Sequence, residues 1–450
     1  SEDLCSRKQH TSMKQLTLFE WEQAHLSPEV QRLEAKYASR MREDLRMGSL
    51  VSYVGNKEAP LLRLYRYKEA FAFRFVDEWL RRFEVSQKDI VFDPFCGMGT
   101  TLLAAGCRGV PALGIDRLPL AVFIAETLAF FFQLRPGELN KVFQTLLGKV
   151  RSAEPARLAM DVAIMQVAFA PQTLAELRQW KTVIDGLRPP MREVFLLLFF
   201  SILEECSYTC KDGQFLRLRR DKRTAQPEEA LAKKVQQAET DLRKIQELGW
   251  KEVFVPFRVV LGDTRRLEEV CLQRPPTVLI TSPPYANRYD YTRTYSLELC
   301  FHFVRNFPEL RELRHNMLRS HIEAKLVDLE SSRHPAVQEV VGFLKAHSKT
   351  LNNPKIPDML TAYFVDMQKT ISQWWKVLAS SAHVVMVVDN VRFEGQMLPV
   401  DLILSEMAEQ EGFAVEEILV ARYKGNSSQQ MGRYGRLPVR ESIVVWRKQE

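Results

Sequence analysis

Thr281-Ser282-Pro283-Pro284-Tyr285 is the segment whose residue types are best suited to chemistry. It follows the run 277–280, Thr-Val-Leu-Ile, whose β-branched residues predict a short buried strand. Two prolines end that strand, because neither has an N–H to give to a ladder. The Pro283 carbonyl is then left without a sheet partner, at the strand end where open α/β sheets keep their ligands. A hydroxyl precedes it and an aromatic ring follows it. Such a set of atoms accepts hydrogen bonds from a planar amine and stacks on the ring that carries the amine.

A second constellation lies upstream. Asp93-Pro94-Phe95-Cys96-Gly97-Met98-Gly99-Thr100 follows the short strand 90–92 and opens a helix that runs through Ala105. Two glycines let the backbone turn sharply and approach a ligand closely, and the helix start offers unpaired N–H groups. Gly-x-Gly alone also serves dinucleotides. Here Leu102 stands where the third glycine of that pattern belongs, and Asp93 would repel a pyrophosphate. An acid before the turn suits the ammonium of an amino acid. Asp116, at the end of a strand over 112–115, is placed for ribose hydroxyls. Asp263, after a strand expected over 253–261, could hold an adenine amino group. Each acid alone reads equally as a cap or turn residue. Three acids at successive strand ends point to one ligand.

The elements that position these groups form a broken α/β series. Residues 1–50 read as a polar helical segment, and 68–83 as an amphipathic helix. Residues 136–250 are almost wholly helical, ending in a charged stretch, 227–247, that reads as an exposed or coiled helix. Residues 300–378 form a second helical insertion. Strand character returns over 382–388, 414–422 and 441–446, with a helix over 398–411. The expected fold is a doubly wound, mainly parallel sheet drawn from 88–135, 251–295 and 379–450. The catalytic domain would then comprise 51–135, 251–299 and 379–450. Asp389-Asn390, after a strand, reads as a turn.

Bulk composition is that of a globular protein, with 46% hydrophobic and 26% charged residues over 450 positions. No apolar stretch reaches the ~18 residues of a membrane span, and the N-terminal residues lack the apolar core of a secretion signal. The expected location is the cytoplasm. Seven cysteines with no CxxC pair are expected as reduced thiols and imply no metal site. Cys206 and Cys210 fit one face of a helix. The net charge of +7 says less than its clustering. Residues 211–223 carry six basic side chains around Phe215: Lys211, Arg217, Arg219, Arg220, Lys222 and Arg223. Residues 305–321 carry four arginines and two histidines. Beside a nucleotide-type site, these become candidates for phosphate contact.

The two motifs, in this order, resemble those of class I, S-adenosylmethionine-dependent DNA amino-methyltransferases, which modify cytosine at N4 or adenine at N6. The resemblance covers roughly half of the chain. It implies a Rossmann-like class I methyltransferase fold with large helical insertions. It also implies S-adenosylmethionine bound by Asp93, Phe95, Cys96, Gly97, Gly99, Thr100, Asp116 and Asp263. The stretch from Asn56 through Lys68 and Glu69 is similar to the family segment that covers the cofactor's methionine end. Ser282, Pro283, Pro284 and Tyr285 match the catalytic motif, and the Ser-Pro-Pro-Tyr form is typical of cytosine-N4 enzymes. The family implies that Ser282 Oγ and the Pro283 carbonyl accept the two N–H groups of the target amine. Tyr285 would stack on a base extruded from double-stranded DNA.

The insertion 136–250, with Arg217, Arg219, Arg220, Lys222 and Arg223, is a candidate target-recognition region, and the second insertion is a rival. Arg288, Tyr289 and Arg293, after the catalytic motif, suit a base pocket and its phosphates. The polar loop 425–436 is a further candidate to meet DNA or close the site. Adenine-N6 methylation is the nearest alternative, with RNA or protein-glutamine methylation and a non-catalytic binding module behind it. A cytosine-C5 enzyme would need a Pro-Cys dipeptide, which the sequence lacks. A cognate restriction endonuclease is a possible partner, and association with the nucleoid follows if the source is prokaryotic.

Overall fold

The polypeptide winds around one eight-stranded sheet in the computed structural model, which describes residues 26–68, 71–212, 215–270, 272–286, 290–317, 332–424 and 439–450. The strands are β1 (Met41–Glu43), β2 (Val91–Asp93), β3 (Ala112–Asp116), β4 (Arg258–Leu261), β5 (Val278–Thr281), β6 (His383–Asp389), β7 (Phe413–Lys424) and β8 (Val439–Lys448). Their order across the sheet is β1-β7-β8-β6-β5-β2-β3-β4. β8 runs antiparallel to both neighbours, and the other pairs are parallel. The order reverses between β2 and β5. At such a switch point the loops after the two strands part and leave a crevice. One loop carries the glycine motif and the other carries the two prolines.

The strands are apolar on both sides because both faces are covered. Leu279, Val384, Met386 and Val388 face one layer, with Tyr363 and Trp374 of the long helix Ile356–Val377. Val278, Ile280, Val385 and Val387 face the other layer, with Phe75 and Trp79 of Phe73–Arg82 and the small residues of Thr100–Cys107. Each fully buried Leu, Val or Phe contributes about 1.5–3 kcal/mol. A one-residue slip in β5 or β6 would turn both sets the wrong way.

A third core belongs to the helices inserted between β3 and β4. Met191–Cys206 is apolar nearly all round and is buried among Pro119–Phe130, Pro171–Asp185 and Pro227–Glu247. Prolines at the first turn of the last three open them without losing a helical bond. Among the described residues no single helix is long and apolar enough to cross a membrane.

The structure departs from the sequence reading at several points. Residues 250–253 are helical, so β4 begins only at Arg258. Residues 41–43 pair with β7, so the segment 1–50 contributes a strand to the sheet. The helix Pro227–Glu247 is packed along one face, with Leu231, Val235, Leu242 and Ile245 buried, and is neither free nor coiled. The basic segment is a two-stranded ribbon, Thr209–Asp212 against Phe215–Leu218. Cys206 ends a helix and Cys210 lies in this ribbon, so the two do not share a helix face. The helix Ile356–Val377, inside the expected second insertion, is the crossover between β5 and β6 and packs on the sheet.

Candidate active site

At the carboxyl edge of the sheet, a cavity of about 320 Å³ joins the loops after β2, β3 and β5 to the ends of β6 and β7 and the start of β8. Asp93, Phe95, Cys96, Gly97, Asp116 and Lys68 line it together with Ser282, Pro283, Pro284 and Tyr285. The two motifs read from the sequence therefore meet in one space.

The cofactor half is organised by backbone. Gly97 N–H donates to Asp116 Oδ2 at 2.9 Å, and Leu118 N–H donates to Oδ1 at 2.9 Å. A carboxylate has about four lone-pair positions, so Asp116 keeps capacity for two hydroxyls. Burial raises its affinity for a proton, and these N–H groups oppose that. Asp93 is 1% exposed. Its Oδ1 accepts from Phe95 N–H at 3.1 Å and from the Thr281 hydroxyl. The second bond ties the end of β2 to the end of β5. Burial pushes the Asp93 carboxyl up to about 7, against the pull of Thr281, Thr101 and Phe95. Gly97 turns at φ 52° and Gly99 at φ 92°. A Cβ on Gly99 would lie 2.9 Å from the Ala125 Cβ, so this glycine seats the helix Thr100–Cys107 against Pro119–Phe130.

Three of the expected cofactor residues stand elsewhere. Gly99 and Thr100 lie behind the cavity wall, with Thr100 Oγ1 accepting from Asn56 Nδ2 at 3.4 Å. The Asp263 carboxylate accepts Arg265 Nε at 2.9 Å and Nη2 at 2.8 Å. Burial would raise its pKa, but Arg265 holds it below the usual carboxylate range. It is thus engaged by a guanidinium, while its neighbours Gly262 and Thr264 line the cavity. Lys68 lines the cavity with its pKa lowered by burial, and its N–H donates to the Tyr295 hydroxyl at 2.9 Å. Glu69 lies outside the described residues.

In the loop after β5 the two proline carbonyls differ. Pro284 O accepts from the Tyr363 hydroxyl at 2.8 Å. Pro283 O has no hydrogen bond among the described residues. Ser282 Oγ donates to Val387 O of β6 at 2.9 Å. That bond uses the serine's only proton, so toward other partners Oγ is an acceptor. The loop thereby offers two neutral acceptors side by side.

The far wall was not legible in the sequence. Glu441, 1% exposed at the start of β8, accepts Arg422 Nε, Lys424 Nζ at 3.2 Å and the Tyr285 hydroxyl at 3.2 Å. Lys424 Nζ also donates to Asp389 Oδ2 at 2.9 Å and lies 5.6 Å from the Tyr285 ring centroid. Asp389, Arg422, Lys424 and Glu441 all line the cavity. Reading Asp389 as part of a turn is corrected: it is the last residue of β6. Burial raises the Tyr285 phenol well above its ordinary value, with the Glu441 and Asp389 charges adding to it. Arg440 and Glu441, just before the apolar run 443–446, were the available signal, since a buried charge in a central strand needs a partner.

Of the residues expected at DNA, Arg217, Arg219, Arg220 and Arg223 are exposed, the first two paired with Asp212 and Asp221. Lys222 is turned inward, with Nζ on Glu204 O at 2.6 Å and Thr209 O at 2.7 Å. Lys211, counted among the basic side chains of that segment, is buried and pairs with Glu298 at 2.5 Å. The ribbon packs on the short helix Tyr291–Thr294, whose Tyr291 lines the cavity. Arg293 lies in that helix, 3.4 Å from Asp290. In the second basic stretch, Arg314 is tied to Thr292 and Asp290. Arg288, Tyr289, Arg319 and the loop 425–436 lie outside the described residues.

The chain is 32% identical over 464 residues to the type II methyltransferase M.AvaI of Nostoc sp., spanning 93% of this chain and 94% of that one. It is 30% identical over 480 residues to the type II methyltransferase M.BsoBI of Geobacillus stearothermophilus, spanning 94% and 93%. No family model matches. Among solved structures, the rRNA methyltransferase aviRa from Streptomyces viridochromogenes is 12% identical at a TM-score of 0.34, covering 88% of this chain and 92% of that one.

Proposed function

The chain belongs to the type II DNA methyltransferases, and from that premise we propose that it methylates the exocyclic N4 amine of cytosine in double-stranded DNA. S-adenosylmethionine is its cofactor and supplies an electrophilic methyl group on a sulfonium sulfur. The residues present suit it. Asp93 offers a buried acid to the ammonium, and Asp116 keeps lone pairs for ribose hydroxyls. The open cavity runs from both to Ser282.

The observation that carries the reading is the acceptor pair. A cytosine amine is conjugated to its ring and weakly nucleophilic, and it has two N–H groups. Ser282 Oγ, its proton committed to Val387, and the Pro283 carbonyl, without a hydrogen bond among the described residues, can take one each. Both bonds favour a pyramidal nitrogen whose lone pair points at the methyl carbon. Rate then comes from placement and fixed dipoles, without a covalent intermediate. A stacked base cannot reach this depth, so the target would flip into the cavity and lie against Tyr285. The exposed arginines of the ribbon would meet backbone phosphates.

Serine before Pro-Pro favours cytosine through the resemblance stated above. The acceptor pair itself would serve an adenine N6 amine equally, which keeps that the second reading. Methylation of RNA or of a protein glutamine is disfavoured by the family. We place the enzyme in the cytoplasm with the nucleoid, protecting the site of a cognate restriction endonuclease. Treating DNA with the purified protein and S-adenosylmethionine, then digesting it to nucleosides for mass spectrometry, tests the base. N4-methylcytosine is expected, and N6-methyladenine alone would overturn the cytosine assignment.

A further inference from the structure

Asp389 is a cavity residue that neither the acceptor pair nor the cofactor half uses. It lies two residues beyond Val387, whose carbonyl holds Ser282 Oγ. Asp389 and Ser282 line the same cavity, and Lys424 links the Asp389 carboxylate to Glu441, which accepts the Tyr285 hydroxyl of the loop after β5. Oδ2 accepts from Lys424, while Oδ1 is shielded from solvent and has no hydrogen-bond partner among the described residues. An unpartnered buried acceptor is costly. The charged groups around it are Lys424 and Arg422 of β7 and Glu441 of β8, with the Tyr285 phenol from the catalytic loop. Among them the Asp389 carboxyl rises to about 6, burial outweighing Lys424.

Amine methylation leaves a proton to place. The nitrogen lone pair forms the N–C bond as the C–S bond breaks, and the C–S electron pair stays on sulfur. The nitrogen then bears the base, the methyl group, two hydrogens and a positive charge. One N–H bond must leave its electrons on nitrogen and release its proton. A serine hydroxyl and an amide carbonyl are too weakly basic to keep that proton. A carboxylate titrating near neutrality is suited to receive it.

We propose that Asp389 is the proton acceptor of the reaction, taking the proton from the methylated amine directly or through one water and returning it to solvent. Its negative charge also favours the positive charge growing on nitrogen. The proposal rests on amine methylation but not on the choice of cytosine, which the nucleoside product decides separately.

Single-turnover methyl transfer with S-adenosylmethionine and DNA kept saturating at every pH, followed from about pH 5 to about pH 8, tests it. The wild-type rate should fall about tenfold per pH unit below about 6. Asp389→Asn should slow transfer about 100-fold and lose that acid limb, with S-adenosylmethionine and DNA affinities kept within about twofold. An unchanged rate, or a slower rate with the limb intact, would overturn the assignment. If Asp389→Asn fails to bind S-adenosylmethionine, Asp389→Glu decides. It should keep an acid limb with a shifted midpoint, and a flat profile would count against the proposal.

Discussion

The two walls of the cavity are built from different materials. On one side, acids are held largely by backbone: Asp116 by the N–H groups of Gly97 and Leu118, Asp93 by that of Phe95 together with the Thr281 hydroxyl. On the base side, side chains hold side chains: Glu441 with Arg422, Lys424 and Tyr285, and Lys424 with Asp389. Backbone donors come with the turn and need only glycines and a strand end. Such a wall is rigid and local. The side-chain wall draws on β6, β7, β8 and the loop after β5.

The largest expected effect separates the walls outright. Ser282→Ala and Tyr285→Ala act only on the base side. Each should lower the single-turnover rate by about 100- to 1,000-fold, leaving calorimetric affinity for S-adenosylmethionine unchanged. Comparable losses in cofactor affinity would mean that the walls do not act separately.

Gly99→Ala probes the rigidity of the cofactor side. The added Cβ meets Ala125 at 2.9 Å, and φ 92° is unfavourable for alanine. A loss of about 1–3 kcal/mol in urea unfolding is expected. Unchanged stability would show that the turn relaxes freely.

A third test uses pH. The Asp93 carboxyl is raised, so it is ionised above about 7 and neutral below. Affinity for the cationic methionine end should therefore fall as pH drops through 7, approaching tenfold per unit. Asp93→Asn should bind weakly at every pH. A flat wild-type profile would remove Asp93 from the ammonium site.

The smallest effect extends the contrast to the ribbon. Replacing Arg219 and Arg220 with alanine should weaken DNA binding a few-fold and reduce the salt slope by about two. Lys222→Ala should instead lower stability, because its ammonium binds Glu204 O and Thr209 O. An unaltered slope in the double variant would take the ribbon out of the interface.

The same contrast explains what the sequence made legible. β2, β3 and β5 and the loops after them could be read because glycines, prolines and strand-end acids carry their roles locally. The parallel sheet followed from those strands alternating with helices. The helix Ile356–Val377 was assigned to an insertion because periodicity marks a helix but not what it packs on. The ribbon Thr209–Asp212 and Phe215–Leu218 was hidden by its charge, which reads as a solvated face. Asp389, Lys424 and Glu441 come from three strands, and the β6–β8 and β7–β8 pairings bring them to Tyr285. The engagement of Asp263 was not legible for a related reason: its partner Arg265 is two residues away, and nothing in the sequence ranks that pairing above a ligand.

Sequencing of DNA from cells expressing the wild-type chain or its Ser282→Ala variant, by a method that reports modified bases in context, bears most directly on the acceptor pair. N4-methylcytosine confined to one sequence context with the wild type, and unmodified DNA with the variant, is the expected result. Equal modification with both proteins would contradict the role given to Ser282 and with it the assignment of the site.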